Sequence, residues 1–233
     1  WVRHRNPPHR NMLCVALLAS SKVPNVLHDA VVSDDLDALI AALKSGASPE
    51  DRDALGYTVL MRAADDGSLE AARVLLAAGV LVNARDNSKA TALHLAAEGG
   101  FTELVQLLID KGAELEAADQ FQWTPLHAAA SRGHTEVLSA LLAAGASAAA
   151  TDEDGKTPLV WAASQGHEEA AKVLDAHTLS KLAAAQAAGL PVDEAMGEAA
   201  TEETADGRAL QADEEAAFMA ASMMAKEHEK TEL

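Results

Sequence analysis

Apolar residues return along this chain in short helical bursts separated by polar turns, and the bursts keep one phase. Leucine stands at 27, 60, 93, 126 and 159, each 33 residues after the last. Each interval divides into two stretches, and the fourth shows both. Trp123-Thr124-Pro125-Leu126-His127-Ala128-Ala129-Ala130 opens a short helix. Thr124 can cap it, and Pro125 suits a first turn where its missing N–H is not needed. Val137, Leu138, Leu141 and Leu142 then recur at helical spacing and predict a second helix with a wide apolar face. The small alanines let the two helices approach closely. Gly133 breaks the first helix, Glu136 favours the positive end of the next, and Gly145 fits the left-handed position that ends it. An extended stretch follows, leading to a turn at Asp152-Glu153-Asp154-Gly155.

Polar and glycine positions keep the same step. Threonine stands at 58, 91, 124 and 157, and aspartate at 53, 86, 119 and 152. Glycine ends the second helices at 46, 79, 112 and 145 and divides the helix pairs at 67, 100, 133 and 166. Five position classes in one phase point to a pile of supersecondary units, not one closed core. Such a pile offers a long surface to partners and no ready catalytic cleft.

Thr124-Pro125-Leu126-His127, Thr157-Pro158-Leu159 and Thr91-Ala92-Leu93-His94 resemble the helix-opening motif of the ankyrin repeat family. Gly133-His134 and Gly166-His167 match its inter-helix turn, and Val82-Asn83-Ala84 matches the segment after its second helix. The resemblance runs from Val26 to Val173. It implies an all-α repeat solenoid: an ankyrin-type stack of helix–turn–helix units with β-turn or hairpin fingers, followed by a helical and disordered C-terminal tail. Five repeats are expected, at 24–54, 55–87, 88–120, 121–153 and 154–178. The first lacks the Thr-Pro opening and has Asp34 in place of glycine. In the second, Met61 stands where the motif has histidine, and Val160 does so in the fifth. Thr178 replaces the final glycine. The outer units are read as caps, since one face of each meets solvent.

The chain ends read differently. Residues 1–23 form a basic, unstructured or capping opening, and Met12 to Ala19 is a short apolar run. That run fits either the apolar part of a secretory signal or a short helix over the first repeat, and the absence of a disulfide framework favours the helix. The sequence starts at Trp1 and not at methionine, which fits an incomplete or translated fragment, with Met12 a candidate true start. Without glycine at 178 the last helix is expected to run on through 179–189. Residues 190–208 read as a disordered acidic linker and 209–233 as a helix with a tail. The closing Lys230-Thr231-Glu232-Leu233 is similar to an endoplasmic-reticulum retrieval signal, with threonine as a departure.

Charge narrows the partners. The net charge is −18, with twelve Asp/Glu against four Lys/Arg in the last 55 residues. Nucleic acid and anionic membranes are disfavoured, and a basic protein partner is expected. Cys14 is the one cysteine, which suits a reducing compartment, so a cytoplasmic or nuclear monomer without membrane insertion is expected.

No cofactor, metal or catalytic residue is expected. His94 and His127, and His134 and His167, are 33 apart. Stacked units lie about 10 Å from each other, too far for histidines at equivalent positions to share a zinc ion bonded at about 2 Å. P-loop, dinucleotide-binding and Gly-x-Ser-x-Gly motifs are missing, and Asp65-Asp66 and Glu168-Glu169 are sequence neighbours without opposed geometry. The resemblance implies that a partner lies on the concave side, made by the fingers and the first helices. There the candidates are Tyr57, Arg62, Asp65, Asp66, Leu95, Glu98, Phe121, Trp123, Arg132, Trp161 and Gln165. Four of the chain's seven aromatic residues fall in this set, and aromatics with arginine most often dominate binding energy.

The leading function is therefore a non-catalytic scaffold or adaptor that binds a protein. The alternative is the regulatory or substrate-recognition portion of a larger enzyme or channel. A further expectation is that the acidic tail folds back over the concave face and competes with the partner.

Overall fold

The computed structural model describes residues 26–187. The opening segment, the linker at 190–208 and the helix and tail at 209–233 lie outside the described residues. Among the described residues the chain forms five consecutive helix pairs and no strand. They are α1 (Val26–Val32) with α2 (Leu36–Lys44), α3 (Val59–Asp65) with α4 (Leu69–Ala77), and α5 (Ala92–Gly99) with α6 (Thr102–Asp110). The last two are α7 (Pro125–Arg132) with α8 (Thr135–Ala143), and α9 (Pro158–Ser164) with α10 (Glu168–Ala187). Each first helix packs on the next first helix and each second helix on the next second helix, in chain order. This is the expected all-α stack. Its fingers are turns without regular strand pairing.

The 33-residue phase has a packing cause. Alanine fills one position of every first helix, at Ala30, Ala63, Ala96, Ala129 and Ala162, and all five are buried. A methyl side chain there lets neighbouring first helices approach closely. Leu27, Leu60, Leu93 and Leu126 are fully buried beside it. The second helices contribute Leu75, Leu108, Leu141 and Leu174, also fully buried. A single pair cannot cover these faces, so burial comes from neighbours on both sides.

The dividing glycine carries two constraints at once. Gly133 has φ +75° and ends α7 in the left-handed conformation. A Cβ on it would also lie 2.7 Å from the His167 ring of the following repeat. Gly100 stands in the same relation to His134, and Gly67 to Phe101. Positions 101, 134 and 167 thus carry a ring that occupies the space left by the previous repeat's glycine. The ring also bonds backward: His134 Nε2 donates to Glu98 O at 3.0 Å, and His167 Nε2 to Ser131 O at 3.1 Å.

At the other dividing position of repeat 1, Asp34 adopts φ +55°, which aspartate tolerates better than most side chains. The last helix has no glycine to stop it at 178. Thr178 remains helical, its hydroxyl donating to Leu174 O at 2.9 Å, and α10 spans twenty residues where α8 spans nine.

Candidate functional site

Each finger is built by its aspartate. Asp119 Oδ1 accepts from the N–H groups of Phe121 and Trp123 at 2.7 and 2.9 Å, and Trp123 O accepts from Asp119 N at 2.9 Å. Asp53, Asp86 and Asp152 fold their turns in the same way, each holding the N–H groups two and four residues on. A short carboxylate that hydrogen-bonds its own backbone is the mechanism of such turns. The tips then bond to one another: Gln120 N donates to Ser88 O at 2.8 Å and Glu153 N to Phe121 O at 3.2 Å. The fingers therefore form one continuous edge with fixed spacing.

Histidine joins three of the first helices to the next finger. His94 Nδ1 accepts from Thr91 N at 3.2 Å, and its Nε2 lies 2.9 Å from Trp123 O. A backbone N–H can only donate and a carbonyl can only accept, so Nδ1 is bare and Nε2 carries the proton. His127 repeats the arrangement between Thr124 N and Lys156 O. Burial holds both imidazoles below their ordinary pKa, against the opposing hydrogen bonds to Trp123 and Lys156. The sequence reading overlooked a third member of this register. His28 Nε2 donates to Tyr57 O at 2.9 Å, and its spacing to Met61 was the available signal. In repeat 2 the Met61 sulfur accepts from Thr58 N at 3.4 Å, so it keeps the helix cap but offers no donor to the next finger.

Trp123 and Trp161 meet, with ring centres 4.8 Å apart and planes tilted by 58°. Trp123 also stacks on His127 at 6.3 Å, and Trp161 Nε1 donates to Asp152 Oδ2 at 2.7 Å. Lys156 Nζ lies 4.9 Å from the Trp161 ring centre and 3.3 Å from Asp154. Both indoles are half-buried. Phe121 is exposed at 47% and makes no ring contact with either indole.

Two predicted contact residues belong to the interior instead. Tyr57 is 4% exposed and Leu95 3% exposed, and both are part of the continuous core. Their side chains offer no appreciable surface to a partner, because packing from neighbouring repeats covers them. The expected acidic face is partly neutralised as well. Arg62 reaches Asp53 at 2.7 Å and Asp65 at 3.3 Å, and Arg132 reaches Glu98 at 2.6 Å. Burial lifts the Asp66 carboxyl above its ordinary pKa against the pull of Arg62. Gln165 is exposed at the end of α9.

Among the described residues no group of three or more His, Cys, Asp or Glu could hold a metal ion. No described helix is long and apolar enough to cross a membrane. Two shallow concavities lie away from the indoles, one beside Arg85 and Gly145 and one between Val80 and Gly112. A family model described as ankyrin repeats (3 copies) matches residues 27–119 and again 111–181. No curated protein matches the chain.

Proposed function

Because the chain belongs to the ankyrin repeat family, whose stacks generally serve as protein–protein interaction modules, we propose that it is a non-catalytic scaffold whose finger face binds a protein partner. The observation that carries this reading is the indole pair. Trp123 and Trp161 lie against each other on adjacent repeats and remain partly exposed, while the core is already filled by leucine and alanine. Half-buried aromatic rings held in place by packing lose little freedom on binding, which suits them to act as anchors. Exposed Phe121 extends the same edge by one finger position, and Arg132 and Gln165 supply polar contacts at its margin. Paired charges such as Arg132 with Glu98 contribute little to stability at an exposed surface, so they remain available for exchange with a partner.

The test is a quantitative pull-down with Trp123→Ala and Trp161→Ala variants, alongside circular dichroism and thermal melting. Each substitution should weaken the complex recovered by the wild-type chain at least tenfold, in keeping with the loss of more than ~1.4 kcal/mol expected at an aromatic hot spot. Melting should stay near wild type. Variants that melt cooperatively as before and recover the complex undiminished would remove the indoles from the interface.

A further inference from the structure

Repeats 2 and 4 carry the same two-part receptor, and only repeat 2 fills it. In repeat 2, Asp53 uses Oδ1 to fold its finger and Oδ2 to receive Arg62 Nη2 at 2.7 Å. The Arg62 guanidinium lies 5.2 Å from the centre of the Tyr57 ring. Repeat 4 has Asp119 at the position of Asp53 and Trp123 at that of Tyr57. Asp119 Oδ1 folds its finger in the same way. The position of Arg62, however, is taken by Ala128, which has no donor. Elsewhere the second carboxylate oxygen is satisfied from within its own repeat, by Ser88 Oγ on Asp86 at 3.0 Å and by Trp161 Nε1 on Asp152 at 2.7 Å. Asp119 Oδ2 accepts no hydrogen bond among the described residues and is not sealed from solvent.

We propose that repeat 4 takes its missing guanidinium from the partner: an arginine on an exposed segment of a basic protein donates to Asp119 Oδ2 and lies against Trp123. The proposal rests on reading the finger face as the protein-binding surface. Arginine fits better than lysine because its planar group can donate to a carboxylate and stack on an indole at the same time. Trp161 packs beside the same ring, with its centre 4.8 Å from that of Trp123. The neighbouring cations do not oppose an incoming charge strongly, since Lys156 is paired with Asp154 and Arg132 with Glu98. The net charge of −18 favours the approach of a cation over the whole surface.

The probe is N-acetyl-arginine amide, titrated into the ¹⁵N-labelled full chain while the indole N–H signals of Trp123 and Trp161 are followed. N-acetyl-citrulline amide serves as the uncharged isostere. The expected result is a saturable shift at the Trp123 signal with a Kd on the order of millimolar, and binding roughly tenfold weaker for citrulline. Asp119→Asn keeps the Oδ1 acceptor that folds the finger and should weaken arginine binding by a similar factor. Ala128→Arg rebuilds the repeat 2 arrangement, so the chain should occupy its own notch and lose the probe while keeping its circular dichroism. Equal binding of arginine and citrulline, or wild-type binding by Asp119→Asn, overturns the proposal. So does the lack of a saturable shift. If Asp119→Asn does not fold, retained arginine binding by Ala128→Arg overturns it instead. Should the tryptophan variants still lose the protein partner when the arginine tests fail, the finger face stands as the interface and only the arginine notch is lost.

Discussion

Single positions in the fingers report how much of the backbone depends on one residue type. Gly56 and Gly155 sit at φ +80° and +75°, but the equivalent residues Lys89 and Gln122 adopt φ +64° and +61° with side chains attached. A left-handed side chain costs about 1–2 kcal/mol relative to glycine, offset in part by the extra freedom glycine has when unfolded. Gln122→Gly should therefore stabilise the stack by about 0.5–1 kcal/mol, read as a higher urea midpoint with an unchanged slope. The reverse holds at Gly133. Gly133→Ala brings both a positive φ and a Cβ 2.7 Å from the His167 ring, so it should cost about 2 kcal/mol or more. Adding His167→Ala should return the steric part and leave the conformational part. Equal stability of the single and double variants would show that the ring is not the obstacle. The register that places these residues was legible in the sequence, since the aspartates, threonines and glycines all count in steps of 33. The second reason for the dividing glycine was not legible, because the ring that needs the space comes from the next repeat.

In the third and fourth helix pairs, the bond from histidine to the following finger makes stability depend on pH. His94 and His127 each accept through a bare Nδ1 and donate through Nε2, and burial depresses both. The unfolded chain therefore binds protons more readily near the ordinary imidazole pKa of about 6.5. The stabilisation is complete above that value and is lost as pH falls through and below it. The urea midpoint should decline from pH 7.5 to 5.5, with the His94 and His127 ring signals failing to titrate at the pH where free imidazole does. A midpoint that rises over this interval would contradict the assigned tautomers. The sequence showed histidine at 94 and 127 within its motif. It hid His28, because the threonine and proline that announce the motif elsewhere are missing from repeat 1.

Across the whole stack each repeat is stabilised mainly by its two neighbours. Amide exchange should be slowest in α5 to α8, which have packed repeats on both sides, and faster in α1, α2 and the distal part of α10. Protection greatest at α1 would be inconsistent with nearest-neighbour packing. Fold class was readable at this scale because every repeat restates it. The candidate surface was less so. Tyr57 and Leu95 fall at the same finger and first-helix positions as the half-buried Trp123 and Trp161, and only packing between repeats shows that they are covered. The pairing of Arg62 with Asp53 was similarly invisible, since nine residues separate them in sequence. The chain of clamps also has a direction and a stopping point. His28, His94 and His127 each reach forward to a carbonyl of the next finger, and at the fifth unit the same site is Val160, 44% exposed and without a donor. An engineer lengthening the array could restore a hydrogen-bonding side chain there. Val160→His would give an appended sixth unit that clamp, and without it the copy would dock as repeat 3 docks on Met61 of repeat 2, by packing and finger-to-finger backbone bonds.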